Sequence, residues 1–333
     1  MTRAAVLESL GGFLPAKVVP NSELVQRMDT TDEWIRTRTG IRQRHVVSPG
    51  QATSDLAVEA GRSALDSALG SGVDLVLLAT TTPDRPVPAT APEVATRLGL
   101  RDVPAFDIGA GCSGFLYGLA TARAYLVSGA ADRVLMIGAD AFSTYVDPTD
   151  RTTAPIFGDG AGAVVLRAGT ADELGALGPL EIGSDGELAE LTVVAAGGSR
   201  QRGSGVPPEP ADGSLVMRGK DLFMNAVMRM SDSARSVLKQ ADWELADIDC
   251  FIGHQANRRI LDAVGEELGL AEERVAVNID QVGNTVAASI PLAMADAVRQ
   301  GRLSAGDRVL LAAFGAGATW GAATLRWPAT ITA

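Results

Sequence analysis

Cys112 is the residue whose type and surroundings most clearly allow chemistry. It lies in Asp107-Ile-Gly-Ala-Gly-Cys-Ser-Gly-Phe-Leu-Tyr-Gly-Leu-Ala120, where small residues follow an apolar stretch and precede a helix-like run over 115–126. This order predicts a strand, a sharp turn and a helix, with the thiol over the first helical turn. Free N–H groups and the positive end of the helix dipole favour a thiolate there. Cys112 is therefore a candidate nucleophile, and a buried structural cysteine is the alternative.

Two further polar residues lie where a strand-like run gives way to a helix-like run. His254 directly follows the strand-like Cys250-Phe-Ile-Gly253, and the carboxyl ends of strands are where α/β proteins build their sites. Asn284 begins another helix-like run, which it can cap while its amide still donates. Helix capping alone is the alternative for both residues. The other histidine, His45, lies in the polar stretch Arg42-Gln-Arg-His45, which indicates a solvated role.

Cysteine, histidine and asparagine at three such junctions form a coherent set for acyl transfer. A thiolate at Cys112 can attack a thioester, while His254 and Asn284 can donate to one oxygen and stabilise a developing enolate. Backbone N–H groups of Cys112 and of the loop Gly315-Ala316-Gly317 can form a second oxyanion hole. Papain-like proteases also use Cys, His and Asn, but their signature around the cysteine is absent and the α/β pattern does not fit them.

Short apolar runs alternate with Ala-rich, helix-like segments along the chain, which predicts an α/β protein with largely buried sheets. Helices are expected over 54–69 and 257–268. Strands are expected over 73–80, 133–138, 162–167, 249–253, 308–313 and 321–327.

The second half of the chain repeats the first. The segment 157–167 resembles 314–326, and Asp132-Arg-Val-Leu matches Asp307-Arg-Val-Leu. The cysteine turn has a counterpart in 282–293, so two stacked halves would bring the two turns together. We therefore expect two units, 1–170 with the nucleophile and 171–333 with His254 and Asn284. The segment 197–213 has loop composition and is expected to be a mobile surface excursion.

The amino-acid composition argues against several classes of protein and favours one cellular location. The chain has 333 residues, 46% of them apolar, and a net charge of −11 that argues against binding nucleic acid. Its two cysteines are too few for a disulfide framework and lack metal-site spacing, which fits a reducing cytoplasm. The first residues do not form a signal peptide, because Glu8 and two glycines interrupt them. No apolar run reaches the roughly 18 residues of a membrane span, so we expect a cytoplasmic protein with no bound metal.

The chain resembles β-ketoacyl-acyl carrier protein synthase III, the initiating condensing enzyme of the thiolase-like superfamily. The resemblance runs almost end to end. The segments that carry it are Thr31-Asp-Glu-Trp-Ile-Arg-Thr-Arg-Thr-Gly-Ile41, the cysteine turn, Asp150-Arg151, Phe157-Gly-Asp-Gly-Ala-Gly162, Gly253-His-Gln-Ala-Asn257, Gly283-Asn-Thr285 and Phe314-Gly-Ala-Gly-Ala-Thr-Trp320. It implies duplicated α/β halves in a five-layered αβαβα core, a homodimer, and no cofactor beyond a coenzyme A thioester as substrate.

The resemblance also implies roles for single residues. Cys112 would accept an acyl group from acyl-coenzyme A, and His254 and Asn284 would stabilise the enolate of a decarboxylating malonyl-acyl carrier protein. Phe314 would shield this site. The expected substrate contacts are Trp34 on the adenine, Arg38 and Arg151 on the nucleotide and phosphates, and Gly219 and Asn257 along the pantetheine tunnel. Phe157 is a further expected substrate-binding residue.

Two departures from the family pattern carry expectations of their own. Position 87 often holds an aromatic that caps the partner subunit's acyl pocket, and Val87 predicts a roomier pocket, offset in part by the large Phe142. The helix after His254 usually ends in lysines that face the acidic carrier, but here Glu266 and Glu267 replace them. The cations that remain for a basic docking patch are Arg218, Lys220, Arg229, Arg258 and Arg259. A specialised carrier protein, or a coenzyme A thioester in its place, is therefore expected.

The leading hypothesis is a decarboxylating Claisen condensation that initiates fatty acid or polyketide chains. An acyltransferase that moves an acyl group to an alcohol, amine or carrier without condensation is the second, although simple transfer does not need Asn284. A biosynthetic thiolase is less favoured because the loop 314–320 lacks a second catalytic cysteine.

Overall fold

Two β-sheets of matching strand order form the framework in the computed structural model, which describes residues 3–331. The strands are β1 (Arg3–Phe13), β2 (Lys17–Pro20), β3 (Gln43–Val46), β4 (Leu75–Ala79), β5 (Ala105–Ile108), β6 (Arg133–Asp140), β7 (Gly160–Thr170), β8 (Leu177–Ser184), β9 (Thr192–Val194), β10 (Leu215–Met217), β11 (Cys250–Gly253), β12 (Arg308–Gly315) and β13 (Thr319–Arg326). All six strands expected from the sequence are confirmed, with ends that differ by a few residues.

The helices connect these strands and cover the sheets. They are α1 (Asn21–Leu24), α2 (Asp32–Thr39), α3 (Thr53–Asp66), α4 (Ala91–Arg97), α5 (Gly114–Ser128), α6 (Ser199–Gly203), α7 (Gly219–Ala241), α8 (Arg258–Glu267), α9 (Ile279–Val282) and α10 (Ser289–Arg299). The helices expected over 54–69, 115–126 and 257–268 correspond to α3, α5 and α8. No helix within residues 3–331 is both long enough and apolar enough to cross a bilayer.

The pairing of the strands confirms the duplication. The first sheet has the order β1-β7-β6-β4-β5 and the second the order β8-β13-β12-β11. Strands β6 and β7 of the first sheet are antiparallel, and so are their counterparts β12 and β13 of the second. The two pairs share a register, since Arg133 lies opposite Arg167 and Arg308 lies opposite Arg326. The strands of the first sheet end at Thr170 and those of the second begin at Leu177. The boundary between residues 170 and 171 stays a prediction.

The largest hydrophobic cluster lies between the two sheets and contains α5 and α10. It joins Leu77 of β4, Leu116 of α5, Ile290 of α10 and Leu311 of β12. A second cluster lies beneath α3 on the outer face of the first sheet, and a third lies beneath α7 and α8 on the outer face of the second. Helices and sheets therefore alternate in five layers, αβαβα, as expected, with the two helices that follow the functional turns at the centre.

The strand β1 was not predicted from the sequence. It pairs with β7 over its whole length, and the register shifts between Leu7 and Ser9, which leaves Glu8 in a bulge. Glu8 is only 5% exposed, and its carboxylate accepts from the Arg133 guanidinium at 2.7 Å and from the Leu69 amide at 3.1 Å. A carboxylate paired in this way can be buried, so the charge that interrupts the apolar pattern does not interrupt the strand.

The segment 197–213 lies on the surface, as its composition suggested. It begins with the short helix α6 and ends beside β10, which pairs with β9 in an antiparallel hairpin that closes the excursion. Thr192 of β9 and Met217 of β10 line the cavity that contains Cys112. The base of the excursion is therefore part of the candidate site.

Candidate active site

Cys112 lies in a 3-10 turn, Gly111–Ser113, between β5 and α5, which confirms the predicted strand, turn and helix. Gly111 has a φ of +53°, a conformation that costs a residue with a side chain more than it costs glycine. A Cβ atom at Gly111 would also lie 2.9 Å from the Ala316 amide nitrogen. Glycine is therefore required at position 111 for two reasons, and it allows the tight turn that carries the Cys112 thiol.

The loop after β12, in the other half of the chain, holds the cysteine turn in place. The Ser113 hydroxyl donates to the Thr319 carbonyl at 3.0 Å, and the Thr319 hydroxyl donates to the Ala110 carbonyl at 2.8 Å. A Cβ atom at Gly315 would lie 2.6 Å from the Cys112 amide nitrogen, so the two backbones are in contact. The structure thus brings together the groups expected to form a second oxyanion hole.

The resting state of Cys112 differs from the sequence-based expectation. Burial, reinforced by the nearby Asp140 carboxylate, raises the pKa of the Cys112 thiol to about 12. The loss of bulk water opposes the thiolate that a helix dipole and free N–H groups would favour. The direction of this pKa shift is opposite to the one expected from the sequence, and it favours a thiol over a thiolate before substrate binds.

Asp140 is a buried carboxylate that the sequence reasoning missed. It ends β6 and accepts hydrogen bonds from the Thr81 amide at 2.7 Å and the Ala287 amide at 3.0 Å. Burial raises the pKa of Asp140 to about 6, and the hydrogen bonds from Thr81 and Ala287 partly oppose that rise. Its position at the carboxyl end of a central strand, where α/β proteins build their sites, was the available signal.

His254 follows β11 directly and is 1% exposed. Its backbone N–H donates to the Ala312 carbonyl at 2.8 Å, which extends the pairing of β11 with β12 by one residue. Both imidazole nitrogens are buried and have no hydrogen-bond partner within residues 3–331. Burial lowers the pKa of His254 to about 3, so the ring is neutral near pH 7. A neutral imidazole with an unused N–H can donate to an oxygen that acquires charge.

Asn284 is fixed by its backbone and by one end of its side chain. Its amide donates to the Ile156 carbonyl at 2.9 Å and its carbonyl accepts from the Gly158 amide at 3.0 Å. The side-chain oxygen accepts from the Val286 amide at 2.9 Å. This bond fixes the orientation of the side chain and leaves the NH₂ group as the free donor, as the sequence analysis anticipated.

Cys112, His254, Asn284 and Phe314 all line one cavity of about 160 Å³. Several other predicted site residues line it as well: Phe142, Phe157, Gly219, Asn257, Gly315 and Ala316. The wall also contains residues that the sequence reasoning missed, among them Thr81, Ile156, Met217, Leu222, Phe223 and Val286. The lining is mostly apolar with a few convergent polar groups, which is the usual composition of a small-molecule site.

Comparisons with known proteins agree with this arrangement. Residues 106–186 match the family model for 3-oxoacyl-[acyl-carrier-protein (ACP)] synthase III and residues 238–327 match the model for its C-terminal part. The chain is 57% identical to β-ketoacyl-[acyl-carrier-protein] synthase III 3 of Streptomyces coelicolor over 99% of both chains. This chain belongs to the 3-oxoacyl-[acyl-carrier-protein] synthase III family.

Solved structures of the family share its fold. The 3-oxoacyl-(acyl carrier protein) synthase III of Pseudomonas aeruginosa aligns with a TM-score of 0.91 at 48% identity over 98% of both chains. The priming β-ketosynthase of the R1128 polyketide biosynthetic pathway aligns with a TM-score of 0.90 at 32% identity over 98% of this chain and 97% of its own. The fold is thus shared with a β-ketosynthase that primes a polyketide pathway.

The synthase III residues expected to bind coenzyme A lie together outside the cavity. The Arg151 guanidinium carbon is 5.0 Å from the centroid of the Trp34 ring, within the range of a cation–π contact. Trp34 is in the first turn of α2, whose last turn contains the exposed Arg38. Asn257 donates to the Arg38 carbonyl at 3.1 Å and also caps α8. Asn257 therefore joins the cavity wall to the helix that carries Trp34.

One part of the cavity wall is aromatic. The Phe142 and Phe157 rings are tilted against each other with centroids 4.5 Å apart, and both side chains are buried. Val87 is 82% exposed and does not line the cavity of its own chain. Its expected place against a partner subunit stays a prediction.

Two arginines of the expected basic docking patch already have acidic partners within the chain. Arg258 is half-buried, and its guanidinium pairs with Asp262 at 2.5 Å and with Glu272 at 2.6 Å. These two carboxylates neutralise its charge, so Arg258 is a poor docking residue. Arg229 also has a partner, Asp185, at 3.8 Å. Among the described residues, the exposed cations of the patch that form no ion pair are Arg218, Lys220 and Arg259.

Proposed function

We propose that this protein condenses an acyl group from acyl-coenzyme A with malonyl-acyl carrier protein and releases carbon dioxide, as a β-ketoacyl-acyl carrier protein synthase III. The observation that carries the proposal is the neutral, unpartnered imidazole of His254, which shares a cavity with the Cys112 thiol and the Asn284 amide. A neutral donor pair suits an enolate oxygen, because it stabilises charge that is present only during reaction.

In the first step the Cys112 sulfur attacks the thioester carbon of acyl-coenzyme A. A carbon–sulfur bond to Cys112 forms, the bond to coenzyme A breaks, and the proton of the Cys112 thiol leaves with the coenzyme A thiol. The exchange of one thiol for another is proton-neutral overall, so a resting thiol with a pKa of about 12 is compatible with it. The Cys112 amide and the loop Gly315–Gly317 are proposed to hold the tetrahedral oxyanion.

In the second step malonyl-acyl carrier protein loses carbon dioxide and its thioester becomes an enolate. His254 and Asn284 donate to the enolate oxygen, and the enolate carbon attacks the acyl carbon on Cys112. A carbon–carbon bond forms, the bond to Cys112 breaks, and the cysteine sulfur takes up one proton. Phe314 shields this step from water. All bonds made and broken involve the two substrates and Cys112, so the proposal includes no cofactor.

The binding partners follow from the mouth of the site. We propose that Trp34, Arg38 and Arg151 bind the nucleotide end of coenzyme A, since guanidinium groups suit phosphates and stack on aromatic rings. Gly219 and Asn257 line the cavity toward that mouth and would contact the pantetheine arm. Arg218, Lys220 and Arg259 would face an acidic carrier. The proposal includes a homodimer, in which the exposed Val87 would lie against the acyl pocket of the partner subunit.

Incubation of the full-length protein with acyl-coenzyme A and carboxyl-labelled malonyl-acyl carrier protein tests this function. The proposal predicts one labelled carbon dioxide released for each β-ketoacyl-carrier product. Transfer of the acyl group to a carrier, alcohol or amine without labelled carbon dioxide would instead establish an acyltransferase, the second hypothesis.

A further inference from the structure

Arg44 is a fully buried arginine in a stretch whose composition suggested a solvated surface. It lies in β3 and is 1% exposed. Burial lowers the pKa of Arg44 to about 10, so it is charged at neutral pH. No carboxylate within residues 3–331 forms an ion pair with it. A buried charge of this kind is costly unless hydrogen bonds satisfy it. The groups that accept hydrogen bonds from Arg44 therefore show which segments it holds together.

The guanidinium joins three separate segments of the chain. One terminal nitrogen donates to the Val19 carbonyl at 3.0 Å. The other donates to the Asn21 side-chain oxygen and to the Pro155 carbonyl, both at 2.8 Å. The forked geometry of a guanidinium allows these bonds at once, which the single ammonium of lysine cannot reproduce.

The stem of Arg44 lies beneath the backbone that fixes Asn284. A Cβ atom at Gly158 would be 3.2 Å from the Arg44 Cβ, and one at Gly283 would be 3.1 Å from it. The carbonyl of Ile156, the residue after Pro155, accepts from the Asn284 amide, and the Gly158 amide donates to the Asn284 carbonyl. Arg44 therefore contacts both strands of the short ladder in which Asn284 sits.

The same network reaches the coenzyme A side of the site. Asn21, which accepts from Arg44, donates from its own side-chain nitrogen to Asp32 at 2.8 Å. Asp32 is the first residue of α2, the helix that contains Trp34 and Arg38. A continuous chain of hydrogen bonds thus runs from the start of α2 through Asn21 and Arg44 to the loop that holds Asn284.

We propose that Arg44 is a positioning residue that holds the Asn284 amide at the enolate site and links it to the helix that carries Trp34. The inference rests on the proposed condensation, in which Asn284 acts only in the malonyl half-reaction. Loss of Arg44 should therefore slow decarboxylation far more than acylation of Cys112. A secondary effect on the KM for acyl-coenzyme A is expected through Asn21 and Asp32.

The test compares the two half-reactions in the full-length variants Arg44→Met and Arg44→Lys. Acylation is followed by mass spectrometry of acyl-Cys112, and decarboxylation by labelled carbon dioxide from malonyl-acyl carrier protein. Rates are expressed per acylatable Cys112, so that an unfolded fraction does not count. Decarboxylation by Arg44→Met should fall by about tenfold to a hundredfold, since a catalytic group misplaced by ~1 Å can cost ~10²-fold, while acylation changes little.

Arg133→Met is the matched control, because Arg133 is largely buried, pairs with Glu8, and lies outside the cavity lining. It should lower thermal stability without changing the ratio of the two rates. If Arg44→Met does not fold, Arg44→Lys provides the test. Its rate of decarboxylation should fall by an intermediate amount, while its rate of acylation stays unchanged. An unchanged ratio in an active enzyme would overturn the inference. Failure of the unsubstituted protein to release carbon dioxide would instead overturn the proposed function.

Discussion

The Asp140 carboxylate accepts a hydrogen bond from the Ala287 amide at 3.0 Å, and this bond joins the two halves of the chain at the centre of the site. Asp140 ends a strand of the first sheet, whereas Ala287 belongs to the turn that follows Asn284. The backbones also approach closely here, since a Cβ atom at Gly138 would lie 2.4 Å from the Ala287 carbonyl oxygen. Only glycine at position 138 allows the two halves to pack this closely beside Asn284.

The charge of Asp140 leads to a prediction about the thiol. Asp140→Asn should lower the pKa of Cys112 from about 12, because a neutral amide no longer opposes a nearby thiolate. The pH dependence of Cys112 alkylation by iodoacetamide, followed by mass spectrometry, measures this. Asp159→Asn is the control, since Asp159 is also buried but is not among the groups that shift the pKa of Cys112. Identical alkylation profiles for Asp140→Asn and the unsubstituted protein would contradict the assignment.

The buried neutral state of His254 predicts a pH dependence of stability. The pKa of His254 is about 3 in the folded protein and about 6.5 in an unfolded chain. As the pH falls below about 6.5 the unfolded state gains a proton that the folded state does not, so the free energy of unfolding decreases. Replacement His254→Gln should make the loss between pH 7 and 5 smaller by about 2 kcal/mol, as linkage at ~1.36 kcal/mol per pH unit requires.

Urea unfolding at the two pH values measures this difference. Nuclear magnetic resonance gives a second readout, because the chain has only two histidines. One imidazole, that of His254, should keep a constant chemical shift from pH 5 to 9. A His254 chemical shift that titrates near pH 6.5 would show that His254 is not buried as described.

The acyl pocket predicts a substrate preference. Phe142 packs against Phe157 at the apolar end of the cavity, so Phe142→Ala should raise the rate of Cys112 acylation by hexanoyl-coenzyme A relative to acetyl-coenzyme A. Removal of a phenyl ring creates a cavity that a longer chain can fill. The unsubstituted protein should already accept isobutyryl-coenzyme A, because Val87 is small. A strict preference for acetyl-coenzyme A would contradict this reading of Val87.

Carrier docking predicts a different effect at two neighbouring arginines. Arg259→Glu should raise the KM for malonyl-acyl carrier protein by roughly threefold to tenfold, since one exposed ion pair contributes about 0.2–1 kcal/mol and the reversed charge adds repulsion. Arg258→Gln should have little effect on this KM, because Asp262 and Glu272 already pair with Arg258. Lys239→Glu, toward the far end of α7, is the control for a change in net charge. Equal KM values for Arg259→Glu and Lys239→Glu would exclude the patch.

The alternation of strands and helices, and the positions of Cys112 and His254 at the ends of strands, could be predicted because each depends on local pattern. The small residues around Cys112 and the strand before His254 can each be recognised from a few consecutive residues of the sequence. The burial of Glu8 and Arg44 could not be predicted for the opposite reason, since a charged residue is buried only when distant segments supply its partners. Glu8 depends on Arg133, and Arg44 on carbonyls as far away as Pro155. The protonation of Cys112 also depends on enclosure by the second half, which no local pattern shows.

The decarboxylation hole formed by His254 and Asn284 is the central claim, and a comparison of half-reactions tests it most directly. In His254→Ala and Asn284→Ala, labelled carbon dioxide release from malonyl-acyl carrier protein should fall by about 10²-fold or more, the usual cost of one oxyanion donor. Acylation of Cys112 by acyl-coenzyme A should remain within a few-fold of the unsubstituted protein. Carbon dioxide release that is unchanged in both variants would contradict the account.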